Sequence, residues 1–278
     1  MKPRRYSEVD VFSATAYRGN ALAVVHDAEG LSTADMQQFA NWTNLAETTF
    51  LLAPTDPRAD YRVRIFTASE ELPFAGHPTL GSVKAWLAAG GTVGPDGVIV
   101  QECVAGLITI RIAGDRFAFQ APPLTRYEPI EEARLQRVAS VLGIARDDIL
   151  ASSWLVNGPR WMGIRLASAQ QVLALRPDPS LLDDLEIGVV GPHPSGSDTQ
   201  FEVRAFFGGD AVWEDPVTGS LNAGLARWMS DTGVAPPHYV ASQGTVLGRE
   251  GRVHIDIESD SIWVGGHVTA CIEGTVRL

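Results

Sequence analysis

Glu71-Leu72-Pro73-Phe74-Ala75-Gly76-His77-Pro78-Thr79-Leu80-Gly81 is echoed later in the chain by Glu214-Asp215-Pro216-Val217-Thr218-Gly219-Ser220-Leu221-Asn222-Ala223-Gly224. Pro73, Gly76 and Gly81 align with Pro216, Gly219 and Gly224 at one offset, about half of the 278 residues, and Lys84 aligns with Arg227 at the same offset. Each copy reads as a glycine-containing turn that opens an apolar helix, with Pro78 at the first helical position of one and Thr218 or Ser220 as N-cap of the other. A half-length internal match predicts two similar units. Pro122-Pro123 marks the linker, which gives one domain over residues 1–124 and a second over 125–278.

Working outward, Tyr6 to Phe12 alternates as a strand, Tyr17-Arg18-Gly19-Asn20 turns, and Ala21 to His26 forms a second strand. Ser32 with Asp35 has capping-box spacing and opens a helix that Asn44-Leu45 ends. Glu47 to Leu52 and Tyr61 to Phe66 read as strands. The helix after the first glycine turn runs through Trp86. Gly90, Gly91, Gly94, Pro95 and Gly97 make a loop, followed by strands near 98–104, 107–112 and 117–120. The second half has a helix around 131–142, a strand-turn-strand over 153–166 and a strand at 201–207. Its own buried helix and strands at 251–257 and 261–268 complete it. Helices apolar nearly all round are buried. The expected class is therefore α+β, each half a curled sheet wrapped on a central helix.

The bulk numbers narrow the function. A net charge of −11 and a pI near 5.0 disfavour a phosphate-backbone partner. No run reaches the ~18 apolar residues of a membrane span, and no apolar leader follows Lys2, Arg4 and Arg5, so the expectation is a cytoplasmic protein. Cys103 and Cys271 have neither disulfide-scaffold nor metal spacing, and the six histidines are scattered, so no metal site is expected. Gly91, Gly94 and Gly97 do not make a dinucleotide fingerprint, because Pro95 interrupts them. Ser220 lies in no nucleophile elbow.

Chemistry concentrates at the two turns. The first turn of a helix has unpaired N–H groups and a partial positive charge, and Gly76 and Gly219 let a ligand approach that backbone closely. Two such ends suit a carboxylate or a developing enolate oxygen. Glu47, opening an apolar strand, is a candidate proton-transfer base. His77 inside the first turn can give or take a proton near neutrality. Asp215 stands before the second turn, where it also shapes the chain ahead of Pro216.

Asn44-Leu45-Ala46-Glu47-Thr48-Thr49-Phe50, Glu71 to Thr79 and Asp215-Pro216-Val217-Thr218-Gly219-Ser220 resemble three motifs of the phenazine-biosynthesis (PhzF-like) isomerase family, in that family's order. Arg18-Gly19-Asn20-Ala21-Leu22-Ala23-Val24-Val25 resembles its opening turn. The resemblance implies the diaminopimelate-epimerase-like fold: two pseudo-symmetric domains, each a barrel-like, mostly antiparallel sheet around a central helix, with the active site in the cleft between them and a final strand able to return to the first domain. It implies a cofactor-independent isomerase, commonly a homodimer, acting on a small carboxylic acid. The reference reaction is isomerisation of dihydro-hydroxyanthranilate. Glu47 would be the acid/base, His77 and Asp215 its polar partners, and Gly76, Gly219 and Ser220 would hold substrate oxygen. Fold relatives that racemise amino acids use two cysteines in the glycine turns, and these turns have none. Ala21, Ala46 and Leu221-Asn222 depart from the family pattern without removing a candidate catalytic group, and the changes beside Ser220 bear on the substrate. A non-catalytic binding or interaction protein and a two-base epimerase using Glu47 and His77 remain the alternatives.

Overall fold

A computed structural model describes residues 1–94, 97–208 and 213–278. Pro95 of the glycine loop lies outside the described residues. The chain divides into two compact units, residues 1–120 with 265–278, and residues 121–264.

The first unit contains β1 (Pro3–Val11), β2 (Asn20–Val25), α1 (Thr33–Thr43), β3 (Glu47–Leu52), β4 (Tyr61–Phe66), a two-residue β5 (Glu71–Leu72), α2 (Gly76–Ala88), β6 (Val98–Cys103), β7 (Gly106–Ala113) and β8 (Arg116–Gln120). β1 pairs antiparallel with β2, β2 parallel with β3, β3 antiparallel with β4 and β4 parallel with β6; β6, β7 and β8 form an antiparallel meander. α1 starts as its sequence predicts: the Ser32 hydroxyl accepts from the Asp35 N–H, and the Asp35 carboxylate accepts from the Ser32 N–H. It ends at Asn44, left-handed at φ 54°. Met36 and Ala40 on its inner face pack with Val25, Phe50 and Phe66.

The second unit repeats the order. After an additional helix, α3 (Glu132–Leu142), come β9 (Ala151–Val156), β10 (Arg160–Arg165), α4 (Ala169–Ala174), β11 (Glu186–Pro192), β12 (Phe201–Phe207), β13 (Glu214–Asp215), α5 (Gly219–Asp231), β14 (His238–Gln243) and β15 (Gly251–Glu258). The pairings match strand for strand: β9 antiparallel with β10, β10 parallel with β11, β11 antiparallel with β12, β12 parallel with β14, β14 antiparallel with β15.

α2 and α5 are the buried helices, as the patterning requires; most residues of each are out of solvent. The matched glycines Gly81 and Gly224 lie inside these helices rather than in the turns. A Cβ on Gly81 would stand 2.4 Å from Leu22 Cδ2, and one on Gly224 would stand 2.9 Å from Leu155 Cβ. They are the points where each helix crosses its sheet.

A second repeated feature escapes the constant offset. Arg64 forks onto Glu71 (2.7 and 2.5 Å) and sits over Phe66; Arg204 forks onto Glu214 (2.8 and 2.8 Å) and sits over Phe206. Ten residues separate the later pair and seven the earlier, so a fixed alignment passes over it. In both units the glutamate lies opposite the phenylalanine in the ladder and ties the short strand ahead of the glycine turn.

Some expectations need correction. Pro78 is the third residue of α2, not the first; its missing N–H is still one of the four that a helix start leaves unbonded, so it breaks nothing. Thr218 is the N-cap residue of α5 but makes no side-chain cap bond. The strand expected at 261–268 ends at Gly266, and a separate strand, Val268–Arg277, follows. That C-terminal strand pairs antiparallel with β1 and belongs to the first unit.

Candidate active site

In the first unit, parallel pairing of β2 with β3 places Leu22 opposite Glu47. The start of each strand thus lies near the start of α2. His77, the second residue of α2, is buried between them. Its Nδ1 lies 3.3 Å from the Asn20 side-chain nitrogen, and the ring also bonds the Ala21 backbone. Its Nε2 lies 3.1 Å from Glu47 Oε2. The approach is hydrogen-bond close but not aligned as a hydrogen bond for Nε2.

Burial pushes the His77 pKa down to about 3, and the bond to the Ala21 backbone only partly opposes this. The ring is therefore neutral near pH 7, with one N–H and one lone pair. A carboxyl group and a neutral imidazole at this separation can exchange one proton with little movement. Either Nε2–H faces a carboxylate, or the protonated carboxyl faces the Nε2 lone pair.

The second unit gathers Asp215, Gly219 and Ser220 at the start of α5. Thr218 donates its hydroxyl to Asp215 Oδ2 at 2.5 Å instead of capping the helix. Gln243, fully buried at the end of β14, organises this corner. Its Oε1 accepts from the Thr218 N–H (3.1 Å) and the Asn222 amide (2.9 Å), and its Nε2 donates to Thr218 Oγ1 (2.8 Å) and the Asp215 carbonyl (3.1 Å). The first unit has the counterpart: Gln101 donates to Thr79 Oγ1 at 3.0 Å, and Thr79 aligns with Asn222 in the repeat. Ser220 does not meet Asp215 in the described contacts. Its Oγ accepts from Trp161 Nε1 (3.0 Å), and its carbonyl accepts from the Asn157 amide (2.8 Å).

Neither α2 nor α5 has a side-chain cap at its start. Gly76 and Gly219 are the first residues of these helices, so their backbone N–H groups are among those without intrahelical partners. Each start can receive an anionic oxygen.

Residue patterns singled out Glu47 and His77 separately, the family resemblance implied that they are partners, and the structure places them 3.1 Å apart. Sequence reasoning missed Asn20, Thr218, Gln243 and Trp161 as participants. Asn20 and Thr218 lay in quoted motifs. Gln243 and Trp161 are long-range partners and carry no local pattern.

Residues 9–274 match the family described as phenazine biosynthesis-like protein (PhzC-PhzF). Antisense-enhancing sequence 1 of Schizosaccharomyces pombe is 36% identical over 99% of both chains. The trans-2,3-dihydro-3-hydroxyanthranilate isomerase of Pseudomonas aeruginosa is 30% identical, again over 99% of both. Among solved structures, a PhzF-family protein of Enterococcus faecalis superimposes with a TM-score of 0.82 over the whole of both chains at 24% identity. That likeness shows the fold to be the diaminopimelate-epimerase-like α+β class. The chain belongs to the phenazine biosynthesis-like (PhzC-PhzF) protein family, an isomerase family.

Proposed function

We propose that the protein is a cofactor-independent isomerase that moves a proton within a small cyclic or amino-acid-like carboxylic acid, working as a homodimer. The observation that carries this reading is the 3.1 Å approach of Glu47 Oε2 to a buried, neutral His77. Glu47 removes a C–H proton, and His77 beside it holds or relays that proton. The start of α2 stabilises charge on substrate oxygen through Gly76, and Gly219 and Ser220 are the equivalent oxygen-binding groups at the start of α5. Asp215, held by Thr218, is the polar group beside the start of α5. Trans-2,3-dihydro-3-hydroxyanthranilate, the acid in the name of the Pseudomonas aeruginosa relative, is the first substrate to offer.

The test is incubation with that acid in deuterated water. Solvent deuterium entering a carbon position of recovered substrate or product, in a Glu47-dependent way, supports the reading. An intact acid without exchange, across a panel of cyclic and amino-acid-like acids, would reject it.

A second reading is a non-catalytic binding or interaction protein on the same scaffold. It is favoured by one observation, the name of the fission-yeast relative, which is not that of an enzyme. Binding of acids without deuterium exchange would support it.

A further inference from the structure

The second residue of α2 and the second residue of α5 occupy equivalent places in the repeat, and they are His77 and Ser220. Each meets the second residue of the equivalent strand. His77 meets Ala21 of β2 through the backbone, whereas Ser220 meets Trp161 of β10 through the indole side chain. Trp161 is 4% exposed and Ser220 5%, so this hydrogen bond is sheltered from water.

An indole N–H donates and never accepts. The 3.0 Å bond to Ser220 Oγ therefore occupies a lone pair of the hydroxyl and leaves its proton unspent. No hydrogen bond that uses that proton is present among the described residues. Asn157, the neighbour that could compete, spends its amide nitrogen on the Ser220 carbonyl, and its Oδ1 is buried without a hydrogen-bond partner, so it does not take the hydroxyl proton. The helix start adds a partial positive charge beside the hydroxyl.

We infer that Trp161 is a positioning residue that occupies one lone pair of the Ser220 hydroxyl and leaves its proton to be donated to an acceptor oxygen of the bound ligand. The two helix starts then differ in kind. One presents an imidazole that exchanges a proton with Glu47. The other presents a hydroxyl whose proton is free to donate and so favours a ligand with an anionic or carbonyl oxygen at that place. Polarisation by the indole also strengthens the bond the hydroxyl makes.

The test begins without substrate. The indole ¹H–¹⁵N resonance of Trp161, assigned from its loss in Trp161→Phe, is followed in wild type and in Ser220→Ala. The bond predicts an upfield shift and faster solvent exchange of this resonance in Ser220→Ala; an unchanged resonance overturns it. Sodium acetate as acceptor probe is then expected to move the Trp161 resonance in wild type and leave it unmoved in Ser220→Ala. No movement in wild type overturns the donor role. Ser220→Ala carries both readouts if Trp161→Phe does not fold, the assignment then coming from sequential connectivity.

A kinetic arm rests on the proposed isomerase activity: Trp161→Phe is expected to raise KM for the acid roughly three- to tenfold with kcat little changed. The resonance measurements decide the inference even if the acid proves not to be a substrate, so the two failures are distinguishable.

Discussion

Glu47 Oε2 and His77 Nε2 come within 3.1 Å although one side chain opens a strand and the other lies in the first turn of a helix. Neither segment alone forms a proton-transfer pair. The parallel register of β2 with β3 and the burial of α2 against them bring the two together, with Asn20 and Ala21 steadying the far side of the ring.

Replacement of Glu47 by glutamine keeps the shape of the side chain and removes its capacity to accept a proton. Turnover is expected to fall by roughly 10²–10⁴, the weight of a positioned base, with the circular dichroism spectrum unchanged. Near-normal turnover would remove Glu47 from the mechanism.

Acid should weaken the fold before carboxylates titrate. His77 is held down to about 3, and burial together with Arg5 lowers His26 below its ordinary 6.5. In the unfolded chain both rings gain protons near 6.5, while the native rings stay neutral to lower pH. The unfolded state therefore binds more protons in that window, and stability is full above about 6.5 and lost as pH falls toward about 3. The urea midpoint is expected to be lower at about pH 5 than at about pH 7.5, with part of the slope gone in His26→Asn. A flat profile would refute this.

The two Arg–Glu forks should differ in weight. Side chains of Arg204 and Glu214 are 3% and 4% exposed, against 23% and 24% for Arg64 and Glu71. Glu214→Gln leaves a buried guanidinium without its counter-charge and is expected to cost about 3–5 kcal/mol. Glu71→Gln is expected to cost roughly 1 kcal/mol, because water can solvate the freed arginine. Denaturant titrations that rank the two variants the other way would contradict the assignment.

Gly224→Ala tests the helix crossing. Alanine favours a helix interior by about 1 kcal/mol over glycine. Here the new methyl would meet Leu155 Cβ at 2.9 Å, which no side-chain rotation relieves. A net loss of about 1–2 kcal/mol is expected from overpacking. A variant more stable than wild type would show that α5 and β9 can separate freely.

Much of this molecule is legible from local pattern. The α1 capping box, the strand beginning at Glu47 and the burial of both glycine-turn helices follow from spacing and hydropathy alone. The quoted motifs also held most of the candidate residues. Other parts depend on distant partners. Asn222 looks like an unremarkable polar residue in an apolar helix until Gln243, on another element, accepts its amide. Gly81 and Gly224 belong to the motif, but their reason is the sheet they cross. Strands β11 and β14 were passed over because Gly188 and Gly191 interrupt one and His238 and Ser242 dilute the other. The C-terminal strand, whose return to the first domain only the resemblance implied, is faint in the residue pattern because most of it is exposed.

The first unit is assembled from both ends of the chain, with residues 265–278 joining 1–120. Synthesis from the N-terminus therefore leaves β1 with one bare edge until the last strand leaves the ribosome and pairs with it along nine positions, from Pro3 to Val11. The contiguous second unit has no such delay. The pair Glu47 and His77 thus sits in the unit whose sheet is completed after the strands of the second unit have been made. Deletion of residues 268–277 would remove the strand that pairs with β1 while leaving both residues in the chain.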